Sequence, residues 1–190
     1  MKLAIVGCTG LVGSVVLKVL NEIKLPITEL ILVASSRSVG KKIVFNKSTI
    51  IIDSIEQAIL KNPQIAIFCA GGEVSKKWSH QFSNTGTIVI DNSSAWRMEP
   101  EIPLIVPEIN GHILNETHQI ISNPNCSTIQ MVLALKEIHQ RLEIDRIVVS
   151  TYQSVTGTGA AAVKQMMDER TESVVNKVYP HKIDQDRFIF

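Results

Sequence analysis

Leu3-Ala4-Ile5-Val6-Gly7-Cys8-Thr9-Gly10-Leu11-Val12-Gly13 decides how the rest of the chain is read. Four apolar residues run straight into a loop with glycine at 7, 10 and 13. The segment that follows is apolar at 11, 12, 15, 16, 19, 20 and 23. An uninterrupted apolar run is the mark of a strand buried on both faces, and the later spacing is that of a helix. The join is therefore strand, glycine turn, helix. Glycines permit the tight turn and let backbone N–H groups approach a pyrophosphate, whose charge the positive end of the helix favours. Gly7, Thr9, Gly10, Leu11, Val12 and Gly13 are the predicted phosphate cradle of a dinucleotide site.

Further along, strand and helix patterns alternate. Residues 30–34 form a second apolar run, and residues 50–52 a weaker third. Residues 55–60 read as a short helix capped by Asp53 or Ser54. Residues 65–70 read as a buried strand closed by Gly71-Gly72, residues 73–83 as a helix, and residues 87–90 as a strand ending at Asp91. This predicts an α/β fold with a Rossmann-type parallel sheet covered on both faces. Pro100, Pro103, Pro107 and Pro124 break residues 92–125 into a connecting region with short elements. Helical spacing returns over 127–142, a β-rich run covers 146–152, and Gly157 and Gly159 precede an Ala-rich helix from Ala160 to about Val175. The expected division is a dinucleotide-binding domain at 1–125 and a second domain starting at 126–190.

The 190 residues are 45% hydrophobic and 19% charged, with a net charge of +1, so a sizeable core is expected. No Lys or Arg cluster points to nucleic acid or an anionic membrane surface. The apolar run at 3–6 is too short for a secretory signal, and no stretch approaches the roughly 18 apolar residues of a membrane helix. A cytoplasmic location is the expectation. Cys8, Cys69 and Cys126 are odd in number and widely spaced, which predicts reduced thiols and no metal site.

Two further places carry chemistry. After the second apolar run, where a carboxylate would bind the ribose diol of NAD, the chain reads Ser35-Ser36-Arg37-Ser38, with Lys41 and Lys42 nearby. Guanidinium and hydroxyl donors suit a 2′-phosphate that a carboxylate would repel, so NADP is the predicted cofactor, with Ser35, Arg37 and Ser38 as its ligands. Asn123-Pro124-Asn125-Cys126-Ser127-Thr128 opens the 127–142 helix. The dipole and unbonded N–H groups at a helix start favour thiolate, the attacking species in covalent catalysis. Cys126 is the predicted nucleophile, whereas Cys8 and Cys69 adjoin strand runs and read as buried structural thiols. A thiol nucleophile beside a dinucleotide fold suggests thioester chemistry coupled to hydride transfer.

Several segments, in order, resemble the aspartate-semialdehyde dehydrogenase family. They are the 7–13 loop, Ala34-Ser35-Ser36-Arg37-Ser38-Val39-Gly40-Lys41 and Ala70-Gly71-Gly72, then Asp91-Asn92-Ser93-Ser94-Ala95-Trp96-Arg97 and Val106-Pro107-Glu108-Ile109-Asn110. The 123–128 segment and Tyr152-Gln153-Ser154-Val155-Thr156-Gly157-Thr158-Gly159 complete the set. The resemblance implies NADPH-dependent reduction of β-aspartyl phosphate to aspartate semialdehyde and phosphate, on the way to lysine, diaminopimelate, threonine and methionine. It also implies a fold in which the Rossmann-type domain is followed by an α+β catalytic and dimerisation domain, a small-molecule substrate and a homo-oligomer. Cys126 would form the thioester, Gln153 would orient the acyl group, and Arg97 and Asn92 would bind the phosphate. Gly71, Thr156 and Gly157 would join the cofactor site.

The same resemblance implies a longer enzyme. Its general-base histidine, its carboxylate-binding arginine and a phosphate-binding lysine would lie beyond residue 190. His80, His112, His118, His139 and His181 read as surface or capping residues instead. Tyr179-Pro180-His181-Lys182-Ile183 still resembles the family, while residues 184–190 depart from it. Little or no turnover is expected from these residues alone, since acid–base help is worth about 10²- to 10⁴-fold. The neighbouring family, N-acetyl-glutamyl-phosphate reductase, usually has Asn-Pro-Gly-Cys-Tyr-Pro-Thr at its nucleophile and fits 123–128 less well. A non-catalytic NADP-binding protein is the alternative from a different class.

Overall fold

The computed structural model describes residues 1–171. Strand β1 (Lys2–Val6) lies in the interior of the main sheet. It pairs in parallel with β2 (Glu29–Val33) on one side and with β5 (Ile65–Phe68) on the other. β6 (Ile88–Asp91) and β7 (Ile120–Ser122) complete a five-stranded parallel sheet in the order β2-β1-β5-β6-β7. The apolar run of β1 serves two cores, because successive side chains point to opposite faces. Ala4 and Val6 join Phe68, Phe82, Val89 and Trp96 under α2 (Ile55–Leu60) and α3 (Gly72–Ser83). Leu3 and Ile5 join Leu17, Leu20 and Leu32 under α1 (Leu11–Ile23). Both faces are therefore covered, as the uninterrupted apolar runs required.

The weak third run is corrected by the structure. Residues 50–52 do not add a strand to the parallel sheet. Ser48–Ile51 (β4) instead pairs antiparallel with Lys42–Phe45 (β3) in a separate two-stranded sheet. The turn residues Asn46 and Lys47 both have positive φ, 49° and 65°, the backbone of a tight hairpin turn. Ile43, Phe45 and Ile50 close the α1-side core. The proline-broken region 92–125 also contributes more than short connections, because β7 is a full member of the main sheet. Within it, Pro107–Asn110 (α4) has proline at its first turn, and the Asn110 amide bridges Val106 N–H and Leu104 C=O.

Helix α5 (Cys126–Leu142) follows β7. The β-rich run at 146–152 is not a strand: no ladder forms there, and Val148 and Tyr152 are exposed. A strand needs a neighbour for its N–H and C=O groups, and among the described residues none pairs with it. The chain divides into two compact units between Val149 and Ser150. In the second, a 3-10 turn at Val155–Thr158 leads into α6 (Ala160–Arg170). The expectations for residues 172–190, including His181, fall outside the described residues.

Candidate active site

Every glycine of the 7–13 loop has a steric reason to be there. Gly7 turns at φ +90°, and a Cβ on it would lie 2.8 Å from the Cys69 carbonyl carbon and oxygen. A Cβ on Gly13 would lie 2.2 Å from the Gly7 carbonyl oxygen, and one on Gly10 would lie 3.3 Å from it. The loop is therefore wedged between the end of β5 and the start of α1. Gly7 and Cys8 N–H both donate to Val33 C=O, at 2.9 and 3.0 Å, which ties the loop to β2. Gly10 stands at the N-cap of α1, which therefore has no side-chain cap, and there is no acid in its first turn. Its first N–H groups are thus left for an external anion.

A crevice of about 710 Å³ opens at the carboxyl ends of β1, β2 and β5, where strands leave β1 on opposite sides. Gly7, Thr9 and Gly10 line it, as does Ser35. Of the remaining expected cofactor residues, Leu11 and Val12 are exposed on α1 and Gly13 is packed beneath the loop. Arg37 lies exposed on the turn closed by Ser38 N–H to Ser35 C=O at 2.8 Å. Gly71 caps α3 at φ +89° with open space around it, so its backbone conformation, and not crowding, demands glycine. Sequence reading missed Val74, Trp78, Ile55 and Glu56, which also line the crevice. The helical spacing of Val74 and Trp78 just after Gly71-Gly72 was a usable signal.

Cys126 is the first residue of α5 and is exposed. Asn125 caps this helix by accepting from Ser127 N–H at 2.9 Å and Thr128 N–H at 3.4 Å. Of the other two thiols, Cys8 is buried as expected, whereas Cys69 is half-buried and lines the crevice. Burial pushes both Cys8 and Cys69 up to about 11. At Cys69 the hydrogen bond from Asn92 opposes that rise and the Asp91 charge adds to it.

Arg97 is half-buried, and two carbonyls grip its guanidinium. Nε donates to Asn123 C=O and Nη2 to Asn92 C=O, both at 3.1 Å. It thus sits where β6 and β7 end, against Asn123, which is three residues of chain before Cys126. Asn92 is more occupied than its sequence role implied. Its Nδ2 donates to Phe68 C=O at 3.1 Å and to Cys69 Sγ at 3.5 Å, while its Oδ1 accepts from Asn123. Beneath it, buried Asp91 accepts from Ser75 Oγ, Ser93 N–H and Ser93 Oγ at 2.7–2.9 Å.

Gln153, Thr156 and Gly157 lie in the second unit. Ser154 Oγ caps the turn there by accepting from Thr156 N–H at 3.4 Å. A Cβ on Gly157 would lie 2.0 Å from Gln153 Nε2, so the glutamine amide rests directly over that glycine. Of the described histidines, His118 and His139 accept backbone N–H groups, His80 stacks edge-on against Trp96, and His112 is exposed.

These features define a dinucleotide-binding α/β protein with a thiol presented at a helix start. The family model described as semialdehyde dehydrogenase, NAD binding domain, matches residues 2–117, and the chain belongs to the semialdehyde dehydrogenase family. The relatives it resembles are those that the ordered sequence segments implied. The aspartate-semialdehyde dehydrogenase of Aquifex aeolicus is 46% identical over 96% of this chain and 56% of its own length. Aspartate-semialdehyde dehydrogenase 2 of Vibrio cholerae is 47% identical over 86% of this chain and 49% of its own. The crystal structure of aspartate semialdehyde dehydrogenase II from Vibrio cholerae superposes with a TM-score of 0.85 at 42% identity, covering 93% of this chain and 54% of that one. That enzyme has also been crystallised in complex with ASA. The chain spans about half the length of these relatives. No helix among the described residues is long and apolar enough to cross a membrane.

Proposed function

We propose that this chain forms the cofactor-binding and nucleophile-bearing part of an aspartate-semialdehyde dehydrogenase. The reaction is NADPH-dependent reduction of β-aspartyl phosphate to aspartate semialdehyde and phosphate, in lysine, threonine and methionine biosynthesis. The observation that carries this is the junction at 123–126. It joins a carbonyl-gripped guanidinium to a helix-start thiol, at the same carboxyl end of the parallel sheet as the crevice. By function, residues 1–125 hold the nucleotide, and residues from 126 begin the catalytic and dimerisation part of a homo-oligomer.

The crevice suits NADP. Its glycines let the loop pack against the end of β5 and the start of α1 where a Cβ would clash, α1 offers uncapped N–H groups, and no acid follows β2. Ser35, Arg37 and Ser38 would hold the 2′-phosphate, and the 7–13 loop the pyrophosphate. The bound cofactor supplies the hydride. Cys126 Sγ attacks the acyl carbon, and phosphate departs toward the Arg97 fork, whose planar donors match its oxygens. The resulting thioester accepts the hydride, becomes a hemithioacetal, and collapses to release aldehyde and restore the thiol. Gln153 orients the acyl group, and Thr156 and Gly157 serve the nicotinamide end. Asn92 has both ends of its amide engaged, so its part is to hold Arg97 rather than to donate to phosphate.

The first half-reaction tests the proposal. Incubation with β-aspartyl phosphate should leave a thioester on Cys126, read by mass spectrometry. Arg97→Leu should slow it by roughly 10- to 100-fold, the worth of a charged hydrogen bond. A Cys126 thiol that takes iodoacetamide but never an aspartyl group would indicate a non-catalytic nucleotide-binding protein. NADP should bind more tightly than NAD, and Arg37→Ala should remove the difference.

A further inference from the structure

We infer that Asn123 is a positioning residue that fixes the anion-binding guanidinium of Arg97 to the loop carrying Cys126, an inference that rests on the roles of Arg97 and Cys126 proposed above. Asn123 is held at three points. Its N–H donates to Asp91 C=O at 2.8 Å, its Nδ2 donates to Asn92 Oδ1 at 2.8 Å, and its carbonyl accepts from Arg97 Nε at 3.1 Å. The second guanidinium contact, Nη2 donating to Asn92 C=O, ends on the residue that the Asn123 side chain grips. One amide–amide hydrogen bond therefore holds together the two carbonyls that aim Arg97.

The segment from Asn123 to Cys126 is stiff. Pro124 is buried, fixes its own φ, and restricts Asn123 to extended backbone. Asn125 is bound to the first turn of α5 through Ser127 and Thr128. Three residues span at most about 11 Å. A shift at Asn123 is thus passed to Arg97 through its carbonyl and to Cys126 through a short chain with little slack. Removing the Asn123 side chain leaves the two carbonyls linked only through the backbone bond from Asn123 N–H to Asp91 C=O, and the guanidinium loses its fixed aim relative to the sulfur. Asn92 also touches Phe68 and Cys69 at the end of β5, so the same lattice abuts the nucleotide crevice.

The test compares two alkylating agents on the chain as it is. Iodoacetamide is neutral and reads the reactivity of Cys126 alone. Iodoacetate carries a carboxylate that a nearby guanidinium attracts. In both cases the sulfur bonds to the methylene carbon and iodide leaves. Peptide mapping confines the measurement to Cys126. The iodoacetate-to-iodoacetamide rate ratio of the unmodified protein should exceed that of Arg97→Leu by about tenfold. Asn123→Ala should lower the ratio to within about twofold of Arg97→Leu, with NADP affinity and the iodoacetamide rate kept. A purely structural role would lower stability without changing that ratio. Should Asn123→Ala not fold, Asn123→Leu, which keeps the volume and lacks the amide, is read in its place. A ratio retained in the asparagine variant overturns the inference alone. A ratio in the unmodified protein equal to that of Arg97→Leu overturns the role of Arg97 as well.

Discussion

Replacing Gly13 with alanine sets two physical effects against each other. Gly13 lies in the first turns of α1 and is buried. Helix propensity alone predicts a gain of about 0.5–1 kcal/mol from Gly→Ala in a helix. The packing predicts the opposite. The new Cβ would lie 2.2 Å from Gly7 C=O, 2.8 Å from Cys8 Cα and 2.9 Å from the Gly7 carbonyl carbon, all of them backbone. Reaching an ordinary contact of about 3.5 Å requires α1 to retreat by more than about 1 Å. No rotamer can absorb that. Overpacking costs about 1–3 kcal/mol, and a rigid backbone neighbour puts this site near the upper end. Net destabilisation of about 2 kcal/mol corresponds to a fall in Tm of roughly 4–8 °C for a domain of this size. The same retreat moves the α1 N–H groups away from the pyrophosphate, so NADP should bind at least about tenfold more weakly. Thermal unfolding and titration calorimetry check both numbers. An alanine variant with a raised Tm and an unchanged Kd would refute the close-packing account of this loop.

Other expectations follow from particular contacts. Ser54 and Gln57 form a reciprocal capping box at the start of α2, so Ser54→Ala should cost about 0.5–2 kcal/mol in urea unfolding. Burial raises Cys8 to about 11 from an ordinary 9.0. A thiol raised in the folded state is fully stabilising below the unfolded value, and its contribution is lost as pH climbs toward the folded one. Stability should therefore fall between about pH 9 and 11, and Cys8→Ser should flatten that part of a urea-midpoint profile. Gly157→Ala should displace the Gln153 amide at little cost, since the clash is with the end of a flexible side chain. Its Tm should barely move, while thioester formation on Cys126 slows about tenfold; an unchanged rate would remove Gln153 from acyl positioning.

Much of the fold was legible where local pattern and tertiary demand agreed. β1 is apolar throughout because both its faces are covered. The apolar spacing located α1 but not its buried face, since Gly13, Leu17 and Leu20 are buried while Leu11, Val12, Val15, Val19 and Ile23 are exposed. The hairpin was harder to read. Its turn is Asn46-Lys47 with no glycine, and lysine gives little warning of positive φ. β7 has only three residues, and it is a strand because the edge of β6 offers partners. At the site, the Asn125 cap follows from the residue type alone. The grip on Arg97 could not have been read, because its acceptors are main-chain carbonyls, which every residue possesses. The crowding of Gln153 over Gly157 belongs to three-dimensional packing in the same way.

The placement of β1 has a consequence for synthesis. This interior strand is made before both of its neighbours, and one of its edges must wait for residues 65–68. At roughly 5–20 residues per second, that edge stays unclaimed for about 3–12 s after residue 6 is joined. Until then Leu3, Ala4, Ile5 and Val6 carry one unpaired strand edge of apolar residues on the nascent polypeptide, the kind of surface most open to wrong pairing.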